Sequence, residues 1–153
     1  MSAQAWVMRF HVEGQKETGL HPLCRPACPK QNPRIHGGTL LFMGGTGARR
    51  PARGLALVSA VTAAMPAFVA GLALDIAPVR VNLIAAGFVD TPLSAALLAD
   101  DLDARRDQLR ATLPIRRVVG PADVAALAVH IMINETLTGA TYDIDGGQQL
   151  VAG

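Results

Sequence analysis

Leu83-Ile84-Ala85-Ala86-Gly87-Phe88-Val89-Asp90-Thr91 is the stretch on which the fold turns. An apolar run ends in a glycine, and polar side chains follow it. Thr138-Gly139-Ala140-Thr141-Tyr142-Asp143-Ile144-Asp145-Gly146-Gly147 repeats the arrangement near the C-terminus. A short apolar run bounded by turn residues is how a strand buried on both faces reads, and such strands belong to parallel sheets. In an open α/β sheet, ligands bind at the carboxyl ends of the strands. The two glycine turns are therefore the first places to look for function.

Working outward, Thr39–Met43 is a short apolar run ending in Gly44-Gly45, and it predicts another buried strand. Leu55–Ala77 reads as a long helix interrupted by Pro66, which cannot donate to the helical ladder. Val79–Ile84 and Ala140–Ile144 are the other strands. Pro92–Leu113 predicts one or two amphipathic helices, with the charged run Asp100–Arg110 as a solvated face. Pro121–Asn134 predicts a helix with Pro121 at its start and Asp123 in its first turn, both favourable there. His130 falls on this helix as an ordinary, partly exposed residue. Strands alternating with helices imply a parallel sheet with right-handed crossovers.

Residues 1–37 differ from the rest. They hold both cysteines, three of the four histidines and four of the ten prolines. Pro22, Pro26, Pro29 and Pro33 exclude a long helix or a central strand. Within this arm, Trp6, Met8, Phe10 and Val12 alternate with Val7, Arg9 and His11, a period-2 pattern that fits a strand over 6–12. Residues 13–37 read as loop. His21, Cys24, Cys28 and His36 have ligand types that suit zinc, but their spacing matches no common finger, so no metal site is expected. The domain division that follows is 1–37 as an irregular arm and 38–153 as the α/β body.

Composition narrows the function. The 153 residues are 50% apolar and 17% charged, which suits one domain with a real core. A net charge of +2, with scattered arginines and little aromatic interleaving, argues against nucleic acid. Two cysteines make no disulfide framework, and the first residues lack a basic start followed by an apolar run. A cytoplasmic protein is expected. Gly54–Leu74 carries no charge and lies between Arg53 and Asp75, and its length suits a bilayer span. Its richness in alanine, with Ser59, Thr62 and Pro66 inside, favours a buried helix of a soluble domain. A helix this apolar all round has no face fit for water, so self-association is expected.

Four motifs, in order and at matching spacing, resemble the C-terminal half of the short-chain dehydrogenase/reductase family. Leu72-Ala73-Leu74-Asp75-Ile76-Ala77-Pro78-Val79-Arg80-Val81-Asn82 is similar to its helix-to-strand segment. Ala86-Gly87-Phe88-Val89-Asp90-Thr91 is similar to its "PG.V.T" turn, with Ala86 where the family usually has proline. Pro114–Ala125 resembles "P..R.G.PEDVA", and Thr138–Gly147 resembles "TG....VDGG". The likeness runs from Gly38 to Leu150. It implies an incomplete, Rossmann-like three-layer α/β domain with a short parallel sheet, joined to the N-terminal arm.

The resemblance also implies NAD or NADP as cofactor, with Gly87, Val89 and Thr91 at the nicotinamide end. Thr91 equally suits an N-cap before Pro92. The family's catalytic Ser, Tyr and Lys positions fall on Gly45, Val58 and Thr62. None of these can do acid–base work at neutral pH. The one tyrosine, Tyr142, lies in the last strand and reads as a packing residue. Met43-Gly44-Gly45-Thr46-Gly47-Ala48, followed by Arg49 and Arg50, mimics a phosphate-binding loop, but its glycine spacing is not that of the dinucleotide motif. The implied function is that of a truncated, catalytically degenerate relative acting as an oligomerisation or scaffold module, a homo-oligomer through the long helix and last strand. Two alternatives stay open: an NAD(P)-dependent oxidoreductase with atypical catalytic residues or completed by another chain, and a membrane-anchored fragment.

Overall fold

The computed structural model describes residues 7–10 and 37–151. The ends of the predicted N-terminal strand, and the His21, Cys24, Cys28 and His36 set, lie outside the described residues. The sheet has the order β1-β2-β3-β4. The central strand β3, Arg80–Ala86, pairs in parallel with β2, Thr39–Gly45, from Thr39 opposite Arg80 to Gly45 opposite Ala86. On its other side it pairs in parallel with β4, Thr141–Ile144. β1, Val7–Phe10, lies antiparallel on the far edge of β2.

The apolar run around residue 83 is covered on both faces. Val81, Asn82, Leu83, Ile84 and Ala85 are all buried. Alternate side chains point to opposite faces, and the two layers divide accordingly. Phe42, Val81 and Leu83 pack against Val69, Met65 and Leu72 of α1, which runs Ala56–Asp75, and against Ile76 just after it. Leu41, Ile84 and Tyr142 pack on the other face against Ile131, Val124 and Leu127 of α4, Pro121–Ile133. Burying each large aliphatic side chain fully stabilises by about 1.5–3 kcal/mol.

Two residues of β3 hold the end of α4 and the loop after it. The guanidinium of Arg80 donates to the carbonyls of Ile131, Met132, Asn134 and Leu137, at 3.1, 2.7, 3.0 and 3.2 Å. The carbonyls of Ile131, Met132 and Asn134 are groups that a helix C-terminus leaves without partners, and that of Leu137 lies in the loop beyond. Asn82, fully buried, donates to the Leu137 carbonyl at 2.8 Å and accepts from the Ala140 amide at 3.3 Å.

The region 92–113 forms two helices, α2 at Pro92–Leu98 and α3 at Leu102–Thr112, with a 3-10 turn between them. Ala99 breaks the run by adopting φ 46°, a left-handed conformation unusual for alanine. Leu109 and Leu113 anchor this hairpin in the interior.

At the start of α4, the Asp123 carboxylate accepts from the Gly120 amide at 2.9 Å and from Arg117 at 2.6 and 2.8 Å. The Arg117 bonds first, then the Gly120 amide, hold its pKa near 2, against an ordinary 3.8. A carboxylate depressed in the folded state adds stability above its unfolded pKa, and the gain disappears as pH falls through the folded value. Wild type is therefore expected to lose stability relative to Asp123→Asn between about pH 4 and pH 2. Denaturant unfolding at fixed pH values measures this, and parallel curves for the two proteins contradict it.

Candidate functional site

Because β2, β3 and β4 are parallel, their carboxyl ends meet on one side of the sheet. Gly45 ends β2, and Val58 and Thr62 lie one turn apart near the start of α1. A Cβ built on Gly45 stands 3.7 Å from Thr62 Cγ2. One built on Gly47 stands 3.7 Å from both Val58 Cγ1 and Thr62 Oγ1. The fold thus brings together the three positions that the sequence picks out by counting. Thr62 Oγ1 donates back to the Val58 carbonyl at 2.8 Å, a bond along its own helix. Ser59 Oγ donates to the Gly47 carbonyl at 3.4 Å. No side chain at positions 45, 58 and 62 titrates near neutral pH.

The turn after β3 is fixed from several sides. Val89 bridges to Val119, and the Asp90 amide donates to the Val119 carbonyl at 2.9 Å. The Asp90 carboxylate accepts two bonds from Arg106 of α3, at 2.9 and 2.8 Å, and this pairing lowers its pKa. Thr91 caps α2: its Oγ1 accepts from the Ser94 amide at 3.2 Å, and Ser94 Oγ accepts from the Thr91 amide at 2.8 Å. Gly87 packs against the Asp145-Gly146-Gly147 turn. A Cβ there would stand 2.6 Å from Asp145 Cβ. The close approach that this glycine permits is to the protein's own chain.

Asp145, 5% exposed, accepts from the amides of Gly147 and Gln149 at 2.8 and 3.0 Å. Asp143 pairs with Arg49 and accepts from Gln149, and Arg49 lowers its pKa. The glycine-rich segment after β2 forms a 3-10 turn, Gly47–Arg49, and the Thr46 amide donates to the Ala86 carbonyl at 3.1 Å. That amide is occupied within the sheet and does not face a phosphate.

Beside these positions opens a cleft of about 300 Å³ between the Thr46–Arg50 turn, α3 and the C-terminal turn. Arg50 and Arg105 both line it. Sequence reasoning missed this pairing. Arg105 sits in the run Asp100–Arg110, which reads as a solvated face. That holds for Asp103, Asp107 and Arg110, but Arg106 turns inward to Asp90, and Arg105 lies over the Phe88 ring at 5.9 Å. The missed signal was a charged run whose arginines fall on more than one face of the helix.

A family profile described as enoyl-(acyl carrier protein) reductase matches residues 6–149, reaching upstream of the Gly38 at which the motifs begin. An uncharacterized oxidoreductase of Mycobacterium tuberculosis is 37% identical over 134 residues, which is 83% of this chain and 49% of that protein. The short-chain dehydrogenase/reductase MalC of Malbranchea aurantiaca is 32% identical over 106 residues, 69% of this chain and 40% of its own length. Among solved structures, a small-chain dehydrogenase in complex with NADPH superposes with a TM-score of 0.69 at 31% identity, covering 74% of this chain and 52% of that one. The chain spans about half the length of the curated relatives it matches.

Proposed function

This chain belongs to the short-chain dehydrogenase/reductase family, and from that premise we propose that it is a catalytically degenerate member serving as an assembly module. The observation that carries the reading is the meeting of Gly45, Val58 and Thr62 at the carboxyl end of β2. The family resemblance puts a serine, a tyrosine and a lysine there. With none of them, positions 45, 58 and 62 hold no group suited to hand a proton to a carbonyl oxygen.

The NAD(P) expected from the family fits in part. It supplies a hydride when bound. The β3–α2 turn would hold its carboxamide end, through the Val89 backbone and the Thr91 hydroxyl. The Thr91 oxygen already accepts from Ser94 within the α2 cap. Among the described residues there is no strand–glycine loop–helix unit for the pyrophosphate. Each missing bond to a charged group weakens binding by about 1.5–3 kcal/mol, or about tenfold or more. Calorimetric titration with NADH and NADPH is expected to show no saturable binding below about millimolar concentration. A micromolar dissociation constant overturns this reading. It favours instead a working oxidoreductase that uses other groups or is completed by another chain.

The assembly half of the proposal rests on α1. Only Val69 of this helix is fully buried, while Leu57, Phe68 and Leu74 are 74%, 50% and 78% exposed. The helix has 20 residues and a mean hydropathy of 2.0, long and apolar enough to cross a membrane by length and composition. Its inner side packs on β2 and β3, and a second copy is the cover proposed for its outer side. Sedimentation without detergent is expected to give a dimer or larger species, and Leu57→Glu with Phe68→Glu to give a monomer. A monomeric wild type contradicts the proposal. Solubility only in detergent favours the membrane-anchored alternative.

A further inference from the structure

We propose that the cleft beside Gly47 is a binding site for a small organic carboxylate. Its head would sit on Arg50 and Arg105, and its apolar body on Leu55, Leu109 and Val151. Arg49, Arg106, Arg110 and Arg117 each pair with an aspartate. Arg50 and Arg105 do not pair with a carboxylate among the described residues. Arg50 donates once, to the Gln148 carbonyl at 2.7 Å, and Arg105 once, to Gln108 at 2.7 Å. A guanidinium has five N–H donors, so both keep free donors beside one concavity.

Among the described residues, no acidic side chain lines the cleft. The two nearby aspartates are already occupied, Asp143 by Arg49 and Gln149, and Asp145 by the Gly147 and Gln149 amides. Among the described residues, no carboxylate is thus left to compensate the positive charge of the cleft. A planar guanidinium matches a carboxylate in geometry as well as charge.

The apolar lining narrows the ligand further. Leu109, which is buried, lines the cleft together with Leu55 and Val151. A bare inorganic anion would leave that wall unfilled. A volume of about 300 Å³ lies at the small end of ligand sites, fit for a bicyclic aromatic or medium-chain acid. The ligand would lie against Gly47 and so beside Val58 and Thr62.

The test uses the full chain and the fluorescent probe 2-naphthoate, read by anisotropy and calorimetry, with 2-naphthylmethanol as the uncharged counterpart. Naphthoate is expected to bind saturably at one site, about tenfold or more tighter than the alcohol. Millimolar inorganic phosphate should not displace it. Arg50→Gln and Arg105→Gln should each weaken it about tenfold, and Arg110→Gln, outside the cleft, should not. Arg50 also tethers the C-terminal turn, so a variant that keeps both arginines is needed. Thr112→Asp, at the exposed rim, should weaken naphthoate and leave the alcohol unchanged.

Equal affinity for acid and alcohol would make the cleft merely apolar. Displacement by phosphate would make it a general anion site. Equal effects of Arg105→Gln and Arg110→Gln would put the ligand elsewhere, as would an unaffected Thr112→Asp. No saturable binding removes the site. Each of these results overturns the proposal. Binding is read without turnover, so an inactive protein and an empty cleft are separate results.

Discussion

Gly87→Ala is expected to destabilise the protein by about 3 kcal/mol, while Gly71→Ala stabilises it by about 0.5–1 kcal/mol. The new methyl at position 87 would stand 2.6 Å from Asp145 Cβ and 3.0 Å from Asp145 Cα. Those atoms belong to or adjoin the backbone of a tight turn and cannot swing aside. Relief requires that the Asp145–Gly147 turn move away from the end of β3. That movement strains the bond from the Gly87 amide to the Ile144 carbonyl and the one from the Phe88 amide to Gln148, at 3.1 and 2.9 Å. Overpacking costs about 1–3 kcal/mol, and each weakened hydrogen bond adds about 1 kcal/mol. Gly71 lies inside α1 with nothing within 4 Å of a built Cβ, so alanine there adds only helix propensity. Denaturant unfolding followed by circular dichroism measures both. Effects of the same sign would show that the turn does not pack as described.

Arg80→Met is the second large effect, expected at about 3 kcal/mol. It keeps much of the aliphatic stem and removes the charged donors from four carbonyls at the end of α4 and in the loop after it. Hydrogen bonds to a charged group contribute about 1.5–3 kcal/mol each, and they share one side chain here, so the sum is well below four times that. Arg80→Lys should recover only part of the loss, because a single ammonium cannot serve carbonyls spread over Ile131 to Leu137. Full recovery by lysine in unfolding experiments would mean that charge near the helix end matters and the individual bonds do not.

These two positions also show what the sequence could and could not disclose. Strand β3 is readable because burial on both faces demands an apolar run. The two polar residues of the strand, Arg80 and Asn82, serve the end of α4 and the loop after it. The starts of α2 and α4 are readable because Pro92 and Pro121 punctuate them. The break between α2 and α3 is not, since it rests on an alanine at positive φ with no glycine or proline to mark it. The sequence places the end of β2 two residues early. Gly44 and Gly45 look like a stop, yet the strand runs through them because β3 offers partners as far as Ala86. A Cβ on Gly44 would press on Leu83 at 3.2 Å. At the site, Gly45, Val58 and Thr62 could be reached by counting along the chain. Arg50 and Arg105 could not, because only the fold brings a residue after β2 and one on α3 to the same cleft.

The ties from Arg80 and Asn82 bear on how the molecule comes apart. β3 is joined to α4 and to the loop before β4 by polar bonds in addition to packing, so these pieces share one fate. The α2–α3 hairpin is held differently, by Leu109 and Leu113 inserted like pegs and by the part-exposed Arg106–Asp90 pair. Local opening has a lower free energy where fewer buried contacts must break. The hairpin forms one wall of the cleft. Its excursions would uncover that wall while the sheet stays closed, making it a natural door on a rigid frame.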